Sequence, residues 1–110
     1  MYYVKKRFTI CGAHKLKLSY ESECTTLHGH NWVVDVYLKS CALNKDGMIM
    51  DFDIITKTLK DKLDHKTLND VVDFNPTAEN LAKYICDLFS PHCYQVDVEE
   101  SAGNVASYIV

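Results

Sequence analysis

Hydrophobic and polar residues alternate with a period of two in two early segments of the chain. The first runs from about Tyr2 to Leu18 and the second from His28 to Cys41, and both place their apolar side chains at even-numbered positions. Such alternation is typical of strands with one buried face. The polar stretch between them, from Leu18 to Leu27, predicts a loop.

The middle of the chain changes to a helical period and predicts two helices. Asp51 or Asp53 can cap the first helix, and Thr77, which follows Asn75–Pro76, can cap the second. Ser90–Pro91 ends the second helix. The buried stripes are expected at Ile55, Leu59 and Leu63 and at Leu81, Ile85 and Leu88. The segment 64–74 between the helices is expected to be a loop.

Two further strands, about Tyr94–Ala102 and Val105–Val110, flank a tight turn at Gly103–Asn104. The predicted order is therefore strand, strand, helix, helix, strand, strand. Strands and helices that are segregated in this way favour an α+β fold. We expect one domain over residues 1–110, with a four-stranded antiparallel sheet and two helices on one face.

Composition narrows the class of protein. The net charge of −3, from 12 Lys+Arg and 15 Asp+Glu, gives no reason to expect a nucleic-acid or membrane partner. Five scattered cysteines do not suggest a disulfide framework, so reduced thiols in a cytoplasmic protein are expected. Five basic residues near the first strand could meet an anionic substrate, although solvated strand edges carry such charges routinely: Lys5, Lys6, Arg7, Lys15 and Lys17.

Three histidines fall on the predicted buried face. His28 and His30 share the parity of the second strand, and His14 shares that of the first. Antiparallel pairing of these strands would bring the three together. Three neutral imidazoles leave the fourth tetrahedral position of zinc open, which is the catalytic pattern. The alternative is a histidine cluster in the core, which would leave ring nitrogens without hydrogen-bond partners.

Cys24 lies in the polar loop, four residues before His28. A thiol near a metal and cationic groups can act as a base or nucleophile. A fourth zinc ligand and an idle thiol remain alternatives. Cys11, Cys86 and Cys93 instead resemble small hydrophobic residues.

Two acidic positions suggest further chemistry. Asp64 precedes His65, and an aspartate that orients an imidazole prepares a proton shuttle. The alternative is a histidine favoured by the dipole at a helix C-terminus.

Glu100 has the parity of Val96 and Val98, so its carboxylate points to the apolar side. A carboxylate there requires a cationic or multiply donating partner, such as a guanidine-like edge of a ligand.

Six segments taken together resemble the 6-pyruvoyl tetrahydropterin synthase family. They are Phe8–His14, Cys24–Asn31, Gly47–Phe52, Leu63–Asn69, Asn75–Ala82 and Val96–Ser101. Gly12 stands where the family usually has alanine. Three residues separate Cys24 from His28, a spacing that resembles the carboxy-forming branch, whereas the mammalian pyruvoyl-forming enzymes have a longer spacer.

The resemblance implies a T-fold, in which three subunits join their sheets into a barrel and two such rings stack as a homohexamer. Active sites then lie between subunits, so Asp64–His65 would serve the Cys24 of a neighbour. The implied roles are zinc ligands for His14, His28 and His30, general base for Cys24 with Asp64 and His65 as partners, pterin anchor for Glu100, and pterin pocket for Thr77 and Glu79.

The implied reaction is a zinc-dependent lyase reaction in queuosine (7-deazapurine) biosynthesis. It converts 7,8-dihydroneopterin triphosphate to 6-carboxy-5,6,7,8-tetrahydropterin, with release of acetaldehyde and triphosphate. One alternative is elimination of triphosphate alone, which forms a pyruvoyl product. Another is a non-catalytic zinc- and pterin-binding module, which would not require Cys24 together with Asp64–His65.

Overall fold

Five strands and three helices make up the fold, and the computed structural model describes all 110 residues. The strands are β1 Tyr2–His14, β2 His28–Ser40, β3 Lys66–Thr67, β4 Cys93–Ser101 and β5 Asn104–Ile109. The helices are α1 Phe52–Leu63, α2 Leu68–Val71 and α3 Ala78–Leu88. None of these helices combines the length and the apolar character needed to cross a bilayer.

The strands form one sheet in the order β3-β1-β2-β4-β5. The pairing of β1 with β3 is parallel, and every other pairing is antiparallel. The α+β class is confirmed, but the sheet is mixed and has five strands where four antiparallel strands were expected.

The additional elements lie in segment 64–74, which was predicted to be a loop. A strand of two residues carries no periodic signal, and β3 forms because the chain beside it is tied to β1. The backbone N–H of His65 donates to the Cys11 carbonyl at 2.7 Å. The Asp64 carboxylate accepts from the Cys11 N–H at 2.8 Å. The helix α2 follows β3 directly.

Strand β1 ends at His14, earlier than the predicted Leu18. The residues after His14 continue the alternating hydrogen-bond pattern of a strand, but along one edge their partners are side chains. Lys15 bonds to Asn69, and Lys17 bonds to Asn75. An apolar pattern in the sequence does not show whether the backbone bonds to a neighbouring strand or to side-chain amides.

The two long helices begin as predicted. Asp51 rather than Asp53 caps α1, and Thr77 caps α3. The predicted buried stripes are confirmed except at Leu88, which is only partly buried. Phe89, the residue after it, is 3% exposed and takes the buried position at the end of the helix.

The core lies between the helices and the even-numbered face of the sheet. The sheet contributes eight residues: Ile10, Trp32, Val34, Val36, Leu38, Cys93, Val96 and Val98. The three helices and the residue after α3 contribute nine: Ile55, Leu59, Leu63, Leu68, Leu81, Ala82, Ile85, Cys86 and Phe89. The alternation predicted for the first two strands is thus confirmed. The opposite face of the sheet carries the polar residues.

A cross-strand ion pair lies on that polar face. Arg7 stands opposite Asp35 in the β1–β2 register. Its guanidinium donates to both carboxylate oxygens, at 2.8 and 3.0 Å. Lys5 lies 3.6 Å from the same carboxylate. The hydrogen bonds from Arg7 hold the pKa of Asp35 below its ordinary range, although burial opposes this shift.

We predict that Asp35→Asn destabilises the protein more at pH 7 than at pH 3. The lowered pKa means that Asp35 stabilises the folded state fully above the pKa of an unfolded aspartate, about 3.9, and that this contribution is lost as the pH falls through the folded-state pKa. Chemical denaturation of both proteins across this range measures the difference. The control is Asp61→Asn, an exposed acid on α1. A destabilisation by Asp35→Asn that does not change with pH would contradict the assignment.

Candidate metal centre

His14, His28 and His30 form a compact cluster at the end of the β1–β2 ladder. His14 is paired with His28 and Gly12 with His30 in the strand register. The ring centroids are 4.5 to 5.2 Å apart. One nitrogen from each ring lies within 4.8 Å of the others, a spacing that could hold one metal ion.

Backbone carbonyls orient two of these rings. His14 Nδ1 lies 2.8 Å from the Pro76 carbonyl, and His28 Nδ1 lies 2.7 Å from the Thr26 carbonyl. A carbonyl can only accept, so each Nδ1 carries the proton and each Nε2 keeps its lone pair. Outer contacts of this kind hold metal-ligating histidines in the correct tautomer.

The free nitrogens fit a metal. His14 Nε2 and His30 Nε2 are buried and have no hydrogen-bond partner. Burial lowers the pKa of His14, which keeps this fully buried ring neutral. Buried polar atoms without partners are rare, and a divalent cation would satisfy both nitrogens.

Trp32 forms the floor of the cluster, a role that its place in the apolar stripe did not reveal. Its indole packs edge-on against His14 at 4.7 Å and against His30 at 5.3 Å between ring centroids. Its Nε1 donates to the Gly12 carbonyl at 3.1 Å. This bond ties the floor to the strand that carries His14.

Gly12 leaves enough room for the alanine that is usual in the family. A Cβ at this position would lie 3.4 Å from the nearest atom, on the Leu68 side chain, which is ordinary van der Waals contact. The departure at Gly12 therefore does not alter the space around the histidines.

Glu100 lies beside the imidazoles, on the face that its parity predicts. One carboxylate oxygen is 3.4 Å from His30 Nε2, and the other is 3.8 Å from His14 Nε2. The protein supplies no cationic side chain to this carboxylate. A metal ion at the histidines or a donating ligand edge would supply the missing partner.

A cavity of about 410 Å³ borders Glu100 and also contains Glu79, with Ala78 and the first half of β5 as further walls. Thr77 does not line it. The Thr77 hydroxyl instead accepts from the Asn80 N–H at 3.1 Å as the cap of α3. The structure thus brings two of the three predicted substrate residues together.

Cys24 lies in a single 3-10 turn, Glu23–Thr25, and is partly buried. Ser22 caps this turn by accepting from the Cys24 N–H at 3.2 Å. The group of potential metal ligands contains the three histidines and not Cys24. This arrangement favours a role for the thiol other than that of fourth ligand.

Asp64 and His65 lie beside the outer edge of β1, the edge that faces away from β2. Asp64 Oδ2 is 3.5 Å from His65 Nε2, and His65, whose φ of 56° is left-handed, leaves its side chain 78% exposed. The cavity at His65, about 440 Å³, is lined largely by odd-numbered strand residues such as Cys11 and Asn31, and His30 of the histidine cluster also borders it. No hydrogen bond or ion pair within the chain joins Cys24 to Asp64 or His65.

The remaining cysteines and the basic cluster differ in part from expectation. All five cysteines are free. Cys86 and Cys93 are buried as predicted, and burial raises the pKa of Cys93 to about 12. The prediction for Cys11 is wrong, because its strand position faces outward and it is exposed.

Of the basic residues, Lys5 and Arg7 are engaged by Asp35. Lys15 and Lys17 instead line a cavity of about 540 Å³ that also contains Thr25, the residue after Cys24. These two lysines are therefore better placed than Lys5 and Arg7 to meet an anionic group.

A sheet that presents three imidazoles and a carboxylate at one end, beneath a single layer of helices, defines an α+β protein with a candidate three-histidine metal centre. The sequence profile described as 6-pyruvoyl tetrahydropterin synthase matches residues 3–109, and the chain belongs to this family. It is therefore an enzyme of pterin metabolism with the T-fold that its motifs led us to expect.

Individual relatives agree with this assignment. A Synechocystis sp. protein named 6-carboxy-5,6,7,8-tetrahydropterin synthase is 33% identical over 98% of this chain and 93% of its own length. A Dictyostelium discoideum protein named 6-pyruvoyl tetrahydrobiopterin synthase is also 33% identical, over 94% of this chain and 92% of its own. The solved Caenorhabditis elegans 6-pyruvoyl tetrahydropterin synthase has a TM-score of 0.77 at 26% identity, covering 99% of this chain and 95% of that one.

We predict that the protein binds one divalent metal ion per chain and that His28→Ala abolishes tight binding. The mutation removes one of three converging nitrogens. Elemental analysis after exhaustive dialysis measures the metal-to-protein ratio. His92→Ala, which changes a histidine outside the cluster, is the matched control and should retain the metal. Full occupancy in His28→Ala would rule out the three-histidine site.

Proposed function

We propose that the protein is a zinc-dependent, cytoplasmic 6-carboxytetrahydropterin synthase of queuosine (7-deazapurine) biosynthesis. Its substrates are 7,8-dihydroneopterin triphosphate and water, and its products are 6-carboxy-5,6,7,8-tetrahydropterin, acetaldehyde and triphosphate. The observation that carries the proposal is the pair of unpartnered Nε2 atoms of His14 and His30 beside the Glu100 carboxylate. This arrangement sets a metal-binding group next to a group that can recognise the edge of a pterin.

The donor set favours zinc over harder cations. Neutral imidazole is a common zinc ligand, and three protein ligands with one open position are typical of catalytic zinc sites. A zinc ion held there would supply Lewis acidity, which acidifies hydroxyl groups and polarises a carbonyl.

Glu100 is suited to fix the orientation of the substrate. The amino-pyrimidine edge of a pterin presents two adjacent N–H donors, and a carboxylate can accept both. Glu79, on the wall of the same cavity, adds a second acceptor. Such positioning lets the reacting side chain of the substrate extend from a fixed ring towards the histidines.

Cys24 and His65 are suited to move protons to and from the substrate side chain. Asp64 supports His65, because its Oδ2 lies 3.5 Å from the ring. Within one chain, the residues that bond to the backbone of Cys24 and of His65 lie on opposite edges of the extended segment formed by β1 and residues 15–17. Cys24 bonds to Leu16, and His65 bonds to Cys11. Five residues of extended chain separate Leu16 from Cys11, which is roughly 16 Å at about 3.3 Å per residue. This separation supports a site completed by His65 of a neighbouring subunit.

Two uncovered sheet edges favour such an assembly. Strand β3 pairs only with Gly12 and Ala13, and Asp64 and His65 bond to Cys11, so the outer edge of β1 before Cys11 is open. At the other end of the sheet, β5 exposes Val105 and Ile109. Open edges of this length are usually paired or covered, and joining the sheets of three subunits into a barrel closes them. A homohexamer made of two such rings accounts for both edges.

The choice of product rests on the spacing before the histidines. Relatives with the carboxy and the pyruvoyl names are equally identical to this chain, at 33%. Overall identity therefore does not separate the two reactions. The spacer of three residues between Cys24 and His28 favours the carboxy-forming reaction.

The experiment that tests the proposal is product analysis with zinc-loaded protein and 7,8-dihydroneopterin triphosphate. We expect acetaldehyde and triphosphate in equal amounts, and Cys24→Ala should abolish both while it retains zinc. Triphosphate release without acetaldehyde would identify the pyruvoyl-forming reaction instead. Loss of zinc from Cys24→Ala would make Cys24 a ligand and contradict its proposed role.

We predict that Glu100→Gln weakens pterin binding by roughly tenfold to a hundredfold. Loss of a hydrogen-bonded charge costs about 1.5–3 kcal/mol, which corresponds to that range of affinity. Thermal stability should hold or rise, since a carboxylate without a partner is removed from the free enzyme. Fluorescence titration with neopterin measures the affinity. Glu99→Gln, on the opposite face, is the control. Unchanged affinity together with a destabilised fold would mean that Glu100 has a structural role.

We predict that inactive Cys24→Ala and His65→Ala proteins regain activity when they are mixed under conditions that allow subunit exchange. A site built from two subunits can then combine an intact thiol with an intact imidazole. Sedimentation velocity checks that the starting material is a hexamer. A monomer at micromolar concentration, or exchanged hexamers that stay inactive, would contradict the shared site.

A further inference from the structure

Two asparagine side chains bond to the backbone just beyond the last residue of β1. Asn69 Oδ1 accepts from the Lys15 N–H, and Asn69 Nδ2 donates to the Lys15 carbonyl, each at 2.9 Å. Asn75 makes the same two bonds with Lys17, also at 2.9 Å. We call Asn69 and Asn75 the asparagine pair.

Each side-chain amide of the asparagine pair makes the two hydrogen bonds that a neighbouring strand would make. An asparagine side chain has one acceptor and a donor group in the same geometry as a peptide, so it can exchange two hydrogen bonds with one residue, as a paired strand does. The segment 15–17 is therefore held along one edge by side chains alone.

The opposite edge of the same segment holds Cys24. Backbone groups alternate in direction along an extended chain, so the Leu16 N–H points away from the asparagine pair. It donates to the Cys24 carbonyl at 2.8 Å. The segment thus forms the middle layer between the asparagine pair and the Cys24 turn.

This bond is the only hydrogen bond that ties the turn to a distant part of the chain. The other hydrogen bonds of Ser22, Glu23, Cys24 and Thr25 stay within residues 22–26. Short 3-10 turns have little stability of their own. The placement of Cys24 therefore depends on where segment 15–17 lies.

One member of the asparagine pair, Asn75, is itself anchored close to the histidines. Asn80 Nδ2 donates to the Asn75 carbonyl at 2.9 Å. The next residue, Pro76, provides the carbonyl that accepts from His14 Nδ1. The same stretch of chain thus orients a candidate metal ligand on one side and, through segment 15–17, the candidate base on the other.

We propose that Asn69 and Asn75 are positioning residues that hold Cys24 at a fixed distance from His14, His28 and His30. The inference rests on the proposed function in one respect, namely that Cys24 takes part in proton transfer. The asparagine pair lines the cavity that contains Lys15, Lys17 and Thr25, but its effect on Cys24 does not require contact with the substrate. It acts through segment 15–17.

The first test separates kcat from KM. Loss of a reacting group's placement lowers the rate by up to about a hundredfold while substrate binding is kept. We expect Asn69→Ala and Asn75→Ala to lower kcat by roughly tenfold to a hundredfold with zinc content unchanged, and to change KM less than kcat even though Lys15 and Lys17 lie in the same segment. Asn44→Ala is the matched control, because Asn44 Oδ1 also accepts two backbone N–H bonds, from Asp46 and Met48, at the other end of the β1–β2 ladder. It should leave kcat unchanged.

The second test needs no turnover. Alkylation by iodoacetamide, followed by peptide mass spectrometry, gives the rate at Cys24 relative to exposed Cys41 in the same molecule. We expect this ratio to rise severalfold in Asn69→Ala and Asn75→Ala and to stay constant in Asn44→Ala. If an alanine variant does not fold, Asn69→Asp or Asn75→Asp keeps the acceptor and loses the donor, and the ratio should still rise.

An unchanged ratio in folded variants would overturn the positioning role, as would a kcat that falls equally in Asn44→Ala. Absence of turnover in the wild-type protein would instead count against the proposed function. The alkylation ratio would still decide whether the asparagine pair controls the placement of Cys24.

Discussion

Antiparallel pairing of β1 with β2 places His14 directly opposite His28 and Gly12 opposite His30, and the candidate site depends on this register. A slip of one residue would turn every side chain of one strand to the other face. The apolar residues of the two strands share the face of the histidines, so burial of Ile10, Trp32 and Val34 enforces the same register. The ion pair between Arg7 and Asp35 holds it from the polar face. Folding of the sheet therefore also brings the three histidines together.

The site carries a cost that a metal ion would relieve. Two buried imidazole nitrogens have no hydrogen-bond partner there, and the partly exposed carboxylate of Glu100 lies beside them. Unsatisfied buried polar groups are unfavourable, and proteins keep them where function requires them. The carbonyls of Thr26 and Pro76 fix the tautomers of the two rings that they contact, so the cluster is prepared for a cation before one binds. Metal binding should accordingly stabilise the fold.

Strand parity predicted the faces of His14, His28, His30 and Glu100, because alternation is a local property that the sequence displays directly. The contacts that support these residues were beyond such reasoning. The Pro76 carbonyl lies 62 residues from His14 in the chain, and Asn69 lies 54 residues from Lys15. Neither contact has a periodic signal, and β3 is too short to have one. Sequence patterns therefore identified the face that carries the chemistry but not the connection between α1 and α3 that braces it.

X-ray absorption at the zinc edge is the sharpest test of the three-histidine site, because it reports the ligand atoms of the metal and does not depend on turnover. We expect three nitrogen neighbours at roughly 2.0–2.1 Å, one further light atom and no sulfur. A sulfur neighbour at about 2.3 Å would place Cys24 on the metal. It would contradict both the open fourth position and the separation of the thiol from the histidine cluster.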